Sequence, residues 1–489
     1  MSERQHLDGE VGERPLWLNY FASKFQVGTA FALLAGFLLR VFFIFRYTHI
    51  VGDSLVYEDI AHNLLQHGVY GFSSGNAAHD IAPSPTLIRL PGYPLFLAVC
   101  FLIFGVDHYT SIMLVQAVLD LGTCLLAASI AGRIFGTVAS RATLWLGTLC
   151  PFVANYVAAP LTETLTLFCI TLAFYGLMRW QEREAGTSGV NRWLCLIGSA
   201  LAYAILLRPE QGLLAAAVVP AMFVIRLHHP AHGLASIKPI LLVSVLALLP
   251  LMPWTARNWY TFHVFQPLAP RFATDPGEVN PIGFQRWYRT WAVDFASTEN
   301  VYWNYDSAPI EIADLPNRAF YSDAQYQATE SLLRQYNETT TASASFDESF
   351  ERLAQERIQA APVRYFVALP LARIFNMTFR PRTENLPVPI EWWKIRNHPL
   401  SSVFAGFYGG LNLGYFILAA LTAVRWKSFG RFRPVILAML ATIVLRLALL
   451  VTLDNSEPRY TLEFFPVLII LGGEAVARLK RPRQGHLSS

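Results

Sequence analysis

Charged side chains are scarce in this sequence. Asp, Glu, Lys and Arg make up 15% of its 489 residues, against 54% hydrophobic residues, whereas a soluble domain carries about a quarter charged. That balance excludes an ordinary soluble enzyme. Cysteine is scarce too: Cys100, Cys124, Cys150, Cys169 and Cys195 all lie inside apolar stretches with no convincing pairing, which excludes a disulfide scaffold and a thiolate metal centre. There is no phosphate-binding glycine loop, Cys-x-x-Cys pair, zinc-protease motif, internal repeat or low-complexity tract. The net charge is only +4 and gives no footing for nucleic acid. The first 27 residues are polar, and no small-residue cleavage site follows the first apolar run. That run reads as a retained helix and not as a removable signal.

What the sequence has in abundance is apolar blocks of about 16 to 22 residues, the length of bilayer-spanning helices. They lie at 28–48, 91–105, 111–131, 137–158, 161–178, 193–208, 212–227, 238–256, 402–424, 434–452 and 460–478, with a weaker one at 363–379. Basic residues mark cytoplasmic loops. Arg4, Arg14 and Lys24 precede the first block, and Arg478, Lys480, Arg481 and Arg483 end the last, so both tails (1–27 and 479–489) are expected inside. The loops holding Arg133, Arg179 to Arg192, Arg226 to Lys238, and Arg425 to Arg433 are expected there too. These assignments agree if 91–105, which is short and opens Pro91-Gly92-Tyr93-Pro94, and 363–379, with Pro370, Arg364 and Arg373, lie at the outer face without crossing. The expected fold is an all-α polytopic bundle of about ten, at most twelve, transmembrane helices with interfacial helices in the outer loops. A module at 28–256 contains outer loop 49–110; an extracytoplasmic region at 257–401 and a final helical part at 402–478 follow. Val56, Tyr57, Ile60, Ala61, Leu64 and Leu65 recur at helical spacing opposite Glu58, Asp59, His62 and Gln66, an amphipathic helix suited to the membrane surface.

The residues able to do chemistry gather at the outer ends of these segments. They are Asp53, Arg89, Glu163, Arg208 and Glu210 around Pro209, Arg257 and Asn258, and Arg459 and Tyr460. Arg446 lies inside an apolar block, where an ionisable group is paired or functional. Arg40 and Asp120 could pair between the first two crossings. Each has a bland reading: a carboxylate as a solvated group or helix cap, an arginine as an interfacial anchor. Two carboxylates and several arginines on one face favour an enzyme handling a lipid phosphate. His62 follows Glu58 and Asp59 at ligand spacing, without a second histidine in register. His228-His229 is incidental, and Asn337-Glu338-Thr339 matches the glycosylation pattern, which is cheap to match.

In order and spacing, Asp53 with Tyr57, Gly68-Val69-Tyr70, Pro85-Thr86, Arg89-Leu90-Pro91-Gly92-Tyr93-Pro94, Phe104-Gly105, Thr162-Glu163-Thr164-Leu165, Leu207-Arg208-Pro209, Pro253-Trp254-Thr255-Ala256-Arg257-Asn258 and Arg459-Tyr460 form a recognisable set. The set resembles the GT-C class of membrane glycosyltransferases, in the bacterial branch related to protein mannosyltransferases, lipid A aminoarabinose transferase and Rgt-type sugar transferases. The resemblance runs over about 30–265 and again near 450–478. It implies a polyprenyl-phosphate-linked sugar as donor, a glycan, lipid or protein acceptor outside the cytoplasm, and inversion at the sugar, in a bacterial inner membrane protein. It implies Asp53 as general base and Glu163 as a second catalytic acid residue. Arg89, Arg257 and Arg459 are implied at the donor phosphate, and Tyr57, Tyr93, Arg208, Glu210, Asn258 and Tyr460 at the substrate. Many relatives carry two adjacent acids at the first position; here Ser54 follows Asp53. Some relatives bind a divalent metal, for which this sequence offers no clean ligand set. The competing reading is a transporter or flippase, kept open by Arg40, Asp120 and Arg446.

Overall fold

The computed structural model describes residues 27–73, 82–183, 191–227, 237–425, 427 and 429–480. Most of both tails, and the His228-His229 pair, lie outside the described residues. Apart from a hairpin pairing Gly71–Phe72 with Ser84–Pro85, the described chain is helices and connecting turns. Among the described residues, six helices are long and apolar enough to cross a membrane: Val27–Arg46, Tyr109–Phe135, Pro209–Leu227, Lys238–Phe262, Pro399–Ala423 and Gly430–Val451. The protein is an integral membrane protein of the polytopic, all-α kind.

The remaining segments expected to cross are also helical: Arg192–Leu207 is apolar but short, 137–158 is split into Thr137–Thr148 and Pro151–Tyr156, and two others carry polar groups for a physical reason. Glu163–Arg183 and Phe465–Leu479 are buried along nearly their whole length. A helix ringed by other helices meets protein instead of lipid, so it tolerates polar groups that bond locally. Thr166 and Thr171 donate back to the carbonyls of Thr162 and Leu167, both at 2.8 Å. Arg40 and Asp120 form the expected pair, at 2.7 Å from Nε, and Arg40 also donates to the carbonyls of Gly36 and Thr148. That pair is a cross-brace between two helices.

Helix Gly92–Phe104 has 13 residues; at about 1.5 Å per residue it reaches ~20 Å, short of the ~30 Å hydrocarbon layer. Its start is wedged against the end of helix Arg192–Leu207. A Cβ on Gly92 would come within 2.5 Å of the Leu206 carbonyl, and Tyr203 donates its hydroxyl to the Gly92 carbonyl at 3.1 Å. Gly92→Ala is therefore expected to force backbone apart beside Arg89. It should lower the detergent-solubilised protein's melting temperature, and an unchanged melting curve would show that the contact has slack.

Helix Asp53–His67 forms where the spacing predicts it. Its apolar face is turned to protein: Tyr57 and Ala61 join Tyr93 and Leu97 in the bundle core, and Ile60 packs with Tyr70, Leu87, Leu90 and Trp254. An apolar stripe facing protein has the same spacing as one facing lipid. On its other side Asp59 accepts from the Ser73 backbone N–H at 2.9 Å, and Asn63 donates to the Gly71 carbonyl at 3.1 Å, tying the hairpin down.

The region after residue 257 has its own aromatic core of Phe284, Trp287, Tyr288, Trp291, Tyr336 and Phe350, with Tyr305 stacked on Phe284 at 3.8 Å. Helices Asp323–Asn337 and Ala344–Ala360 start at Ser322 and Ser343, whose hydroxyls accept the backbone N–H groups of Gln325 and Phe346. Asn337 of the glycosylation-like triplet is used internally, bonding both the N–H and the carbonyl of Ile310.

Candidate active site

Asp53 opens its helix directly after Gly52, whose φ of +56° and ψ of −121° suit only glycine. The helix N-terminus favours a negative charge there. Two arginines close on this carboxylate from opposite ends of the chain. Arg89 Nη2 lies 2.8 Å from Oδ1, and Arg459 Nη2 lies 2.8 Å from Oδ2. The three side chains remain 22%, 25% and 21% exposed, so a ligand can reach them. Glu457 takes the other edge of the Arg459 guanidinium and accepts from the Tyr460 hydroxyl at 2.9 Å.

Burial alone would raise the Asp53 carboxyl, but Arg459 and Arg89 overcome it and hold the group far below the usual carboxylate range. Burial would likewise lower both guanidiniums; Asp53, and for Arg459 Glu457 as well, more than offset it. A depressed folded-state value means that this pairing stabilises the protein above the ordinary aspartate value of about 4 and is lost only as pH falls well below it. Tyr57, one turn along, is pushed up to about 12 by burial and by Asp53, so its hydroxyl stays protonated. Its ring meets that of Tyr93 at 5.1 Å, and Tyr93 donates to Gln116 at 2.8 Å.

Behind this bridge lies a buried second layer. Arg208 reaches Glu163 at 3.5 Å, Glu210 at 3.2 Å and Glu463 at 3.4 Å. Arg446 reaches Glu210 at 3.3 Å and Glu463 at 3.0 Å, and Gln211 donates to Glu463 at 2.6 Å. The Arg208 guanidinium also sits over the Tyr460 ring at 5.9 Å. Across both layers five carboxylates face four guanidiniums, and every carboxylate has an arginine partner. That donor set does not fit a divalent metal, because no carboxylate is free of a cation. Among the described residues no group of three His, Cys, Asp or Glu could hold one. Asp59 is taken by Ser73, and His62 lies beside Gln66.

The structure thus brings together Asp53, Arg89, Glu163, Arg208, Glu210, Arg459, Tyr57, Tyr93 and Tyr460. Arg257 and Asn258 stand apart from the carboxylates. Arg257 donates to the carbonyls of Tyr70 (2.6 Å) and Thr86 (2.7 Å) and lies against the rings of Tyr70, Trp254 and Phe262. Asn258, fully buried, donates to the Gln266 carbonyl at 2.8 Å. Glu457, Glu463, Gln211 and Asp275 were not expected. Asp275 accepts from the Thr86 hydroxyl at 2.7 Å and the Leu87 N–H at 2.8 Å, fixing the segment that leads to Arg89. Glu463 could have been found: it is an acid within an apolar segment, the same signal that marked Arg446.

The fold is that of the GT-C membrane glycosyltransferases. Residues 85–256 match the family model described as dolichyl-phosphate-mannose-protein mannosyltransferase, a stretch that holds Arg89, Glu163, Arg208 and Glu210 but neither Asp53 nor Arg459. Among solved structures, the chain is similar to the oligosaccharyltransferase AglB of Archaeoglobus fulgidus, in complex with an inhibitory peptide and a dolichol-phosphate. The TM-score is 0.51 at 12% identity, over 94% of this chain and 51% of that one. The chain therefore spans about half the length of AglB. It also aligns with ArnT of Cupriavidus metallidurans bound to undecaprenyl phosphate, with a TM-score of 0.37 at 13% identity, over 94% of this chain and 78% of that one. No curated protein matches it in sequence.

Proposed function

We propose that the protein transfers a sugar from a polyprenyl-phosphate donor to an acceptor hydroxyl on the extracytoplasmic side of a bacterial inner membrane, with inversion. The observation that carries this reading is the Arg89–Asp53–Arg459 bridge: two guanidiniums held at one partly exposed carboxylate. The family description names a dolichyl-phosphate sugar, which supports a lipid-phosphate donor. Arginine forks suit a phosphate, and a phosphate entering the bridge competes with Asp53 for both. Asp53, so released, is a stronger base. It takes the proton of the acceptor hydroxyl as that oxygen bonds to the anomeric carbon. The bond from that carbon to the phosphate oxygen breaks on the opposite side, and the charge gained by the departing polyprenyl phosphate falls on Arg89 and Arg459.

In this scheme Glu163 is a positioning residue acting through Arg208, and Arg257 positions Arg89 through the carbonyls of Thr86 and Tyr70. Arg40, Asp120 and Arg446, the charges that kept a transporter in view, each have an ion-pair partner within the protein, which favours transfer over transport. The reading is tested by incubating the purified protein in nanodiscs with a panel of polyprenyl-phosphate sugars and scoring released polyprenyl phosphate. Release with at least one donor is expected; no release with any would favour a lipid transporter. The free protein's kcat/KM should show no acid limb from Asp53 between about pH 5 and 8, because its carboxylate is already ionised there. A limb that Asp53→Asn removed would show the carboxylate is not clamped.

A further inference from the structure

A cavity of about 470 Å³ lies between the aromatic-cored region and the bundle, a volume usual for small-molecule sites. Its walls come from helices Ile282–Arg289 and Ala344–Ala360, from the π-helix Arg364–Ala368 carrying Tyr365, from Arg271 and Phe272, and from Asp454. Asp454 lies five residues before Arg459, in the segment that leads to the Asp53 bridge.

The lining carries three guanidiniums, Arg271, Arg286 and Arg289, and a single carboxylate. Arg289 lies 3.4 Å from Asp454 and over the Tyr365 ring at 5.5 Å. Arg286 pairs with Glu351 at the rim, and the exposed Arg271 lies over Phe272 at 5.3 Å. Burial raises the Asp454 carboxyl, while Arg289, Arg271 and Arg373 oppose that shift. Behind Arg289, the buried Arg373 donates one Nη to the carbonyls of Arg289 and Ala292, while its Nε and other Nη have no hydrogen-bond partner. Around the cavity the guanidiniums of Arg271, Arg286, Arg289 and Arg373 outnumber the carboxylates of Asp454 and Glu351. The rest of the wall is amide and ring: Gln285, Gln355 and Gln359, with Phe272 and Tyr365. Amides bond hydroxyls in either sense, and ring faces take the apolar face of a pyranose.

We propose that this cavity binds an anionic saccharide, the charged sugar of the acceptor glycan, with its carboxylate or phosphate held by Arg271, Arg286 and Arg289. The acceptor role rests on the transfer reading above; the binding chemistry does not. A phosphatidylglycerol headgroup would offer the same charge but no ring of hydroxyls for three amides.

The test is calorimetric titration of the full-length protein in phosphatidylcholine nanodiscs with a glucuronate-terminated oligosaccharide and its carboxyl-reduced counterpart. The charged sugar should bind at least about tenfold more tightly, the scale of one charge-assisted hydrogen bond. Arg271→Glu, at an exposed position, and Arg271→Gln should erase most of that difference and leave the reduced sugar's affinity unchanged. Equal binding of the two sugars, or a difference that survives both variants, overturns the proposal. So does a result in which phosphatidylglycerol in the nanodisc, and not the sugar's carboxylate, is what the variants respond to. Donor turnover by the unmodified protein is scored separately. If the donor is turned over without charge discrimination, the cavity assignment alone falls. If discrimination is seen without turnover, the site stands and its acceptor role falls with the transfer reading.

Discussion

Asp53→Asn is expected to reduce turnover about 10²–10⁴-fold, the usual contribution of a positioned general base, without weakening donor binding. The two expectations go together because of the bridge. Asp53 neutralises Arg89 and Arg459 at 2.8 Å each; the amide removes that charge and leaves both guanidiniums to the donor phosphate. Donor affinity, read with a non-hydrolysable polyprenyl-phosphate analogue, should hold or rise while kcat collapses. If turnover stayed near that of the parent protein, the base assignment would be wrong. If donor affinity fell together with turnover, Asp53 would be a scaffold for the two arginines, not a base.

Arg446→Met should cost about 3–5 kcal/mol of stability, the scale of breaking a buried ion pair from one side. Arg446 is 4% exposed and holds Glu210 and Glu463 together with Arg208. Its removal leaves three glutamates, the buried Glu163 and Glu463 and the partly exposed Glu210, sharing one guanidinium. Adding Glu463→Gln to Arg446→Met should recover part of the loss, because one of the uncompensated charges goes with it. Thermal unfolding in detergent checks both steps. Strict additivity of the two substitutions would sink the network reading, since uncoupled residues lose their energies independently.

Much of this site was legible because its residues violate the surrounding pattern. Asp53, Arg89, Glu163, Arg208, Arg446 and Arg459 are ionisable groups at or inside apolar segments, where desolvation makes an idle charge expensive. Glu457 was not legible: it sits in the turn Asn455-Ser456-Glu457-Pro458, a polar context in which a glutamate carries no signal. Asp275 was hidden for the same reason in Thr274-Asp275-Pro276-Gly277. The type and position of Arg257 fit a phosphate ligand, but its contacts with the carbonyls of Tyr70 and Thr86, the Asn258 side chain and three rings were not legible in the sequence.

The sequence by itself determined the medium and the element type. Blocks of apolar residues long enough to cross a bilayer leave the backbone no hydrogen-bond partners except its own, which makes them helices. It also supplied the kinds of charge gathered near their ends. Which charges meet was decided only by the tertiary structure. Helical periodicity describes neighbours within a turn or two, whereas Asp53 and Arg459 come from opposite ends of the chain. Their meeting depends on where helix Asp53–His67 and the turn before Phe465–Leu479 pack, and it is that packing which makes two isolated charges a bridge.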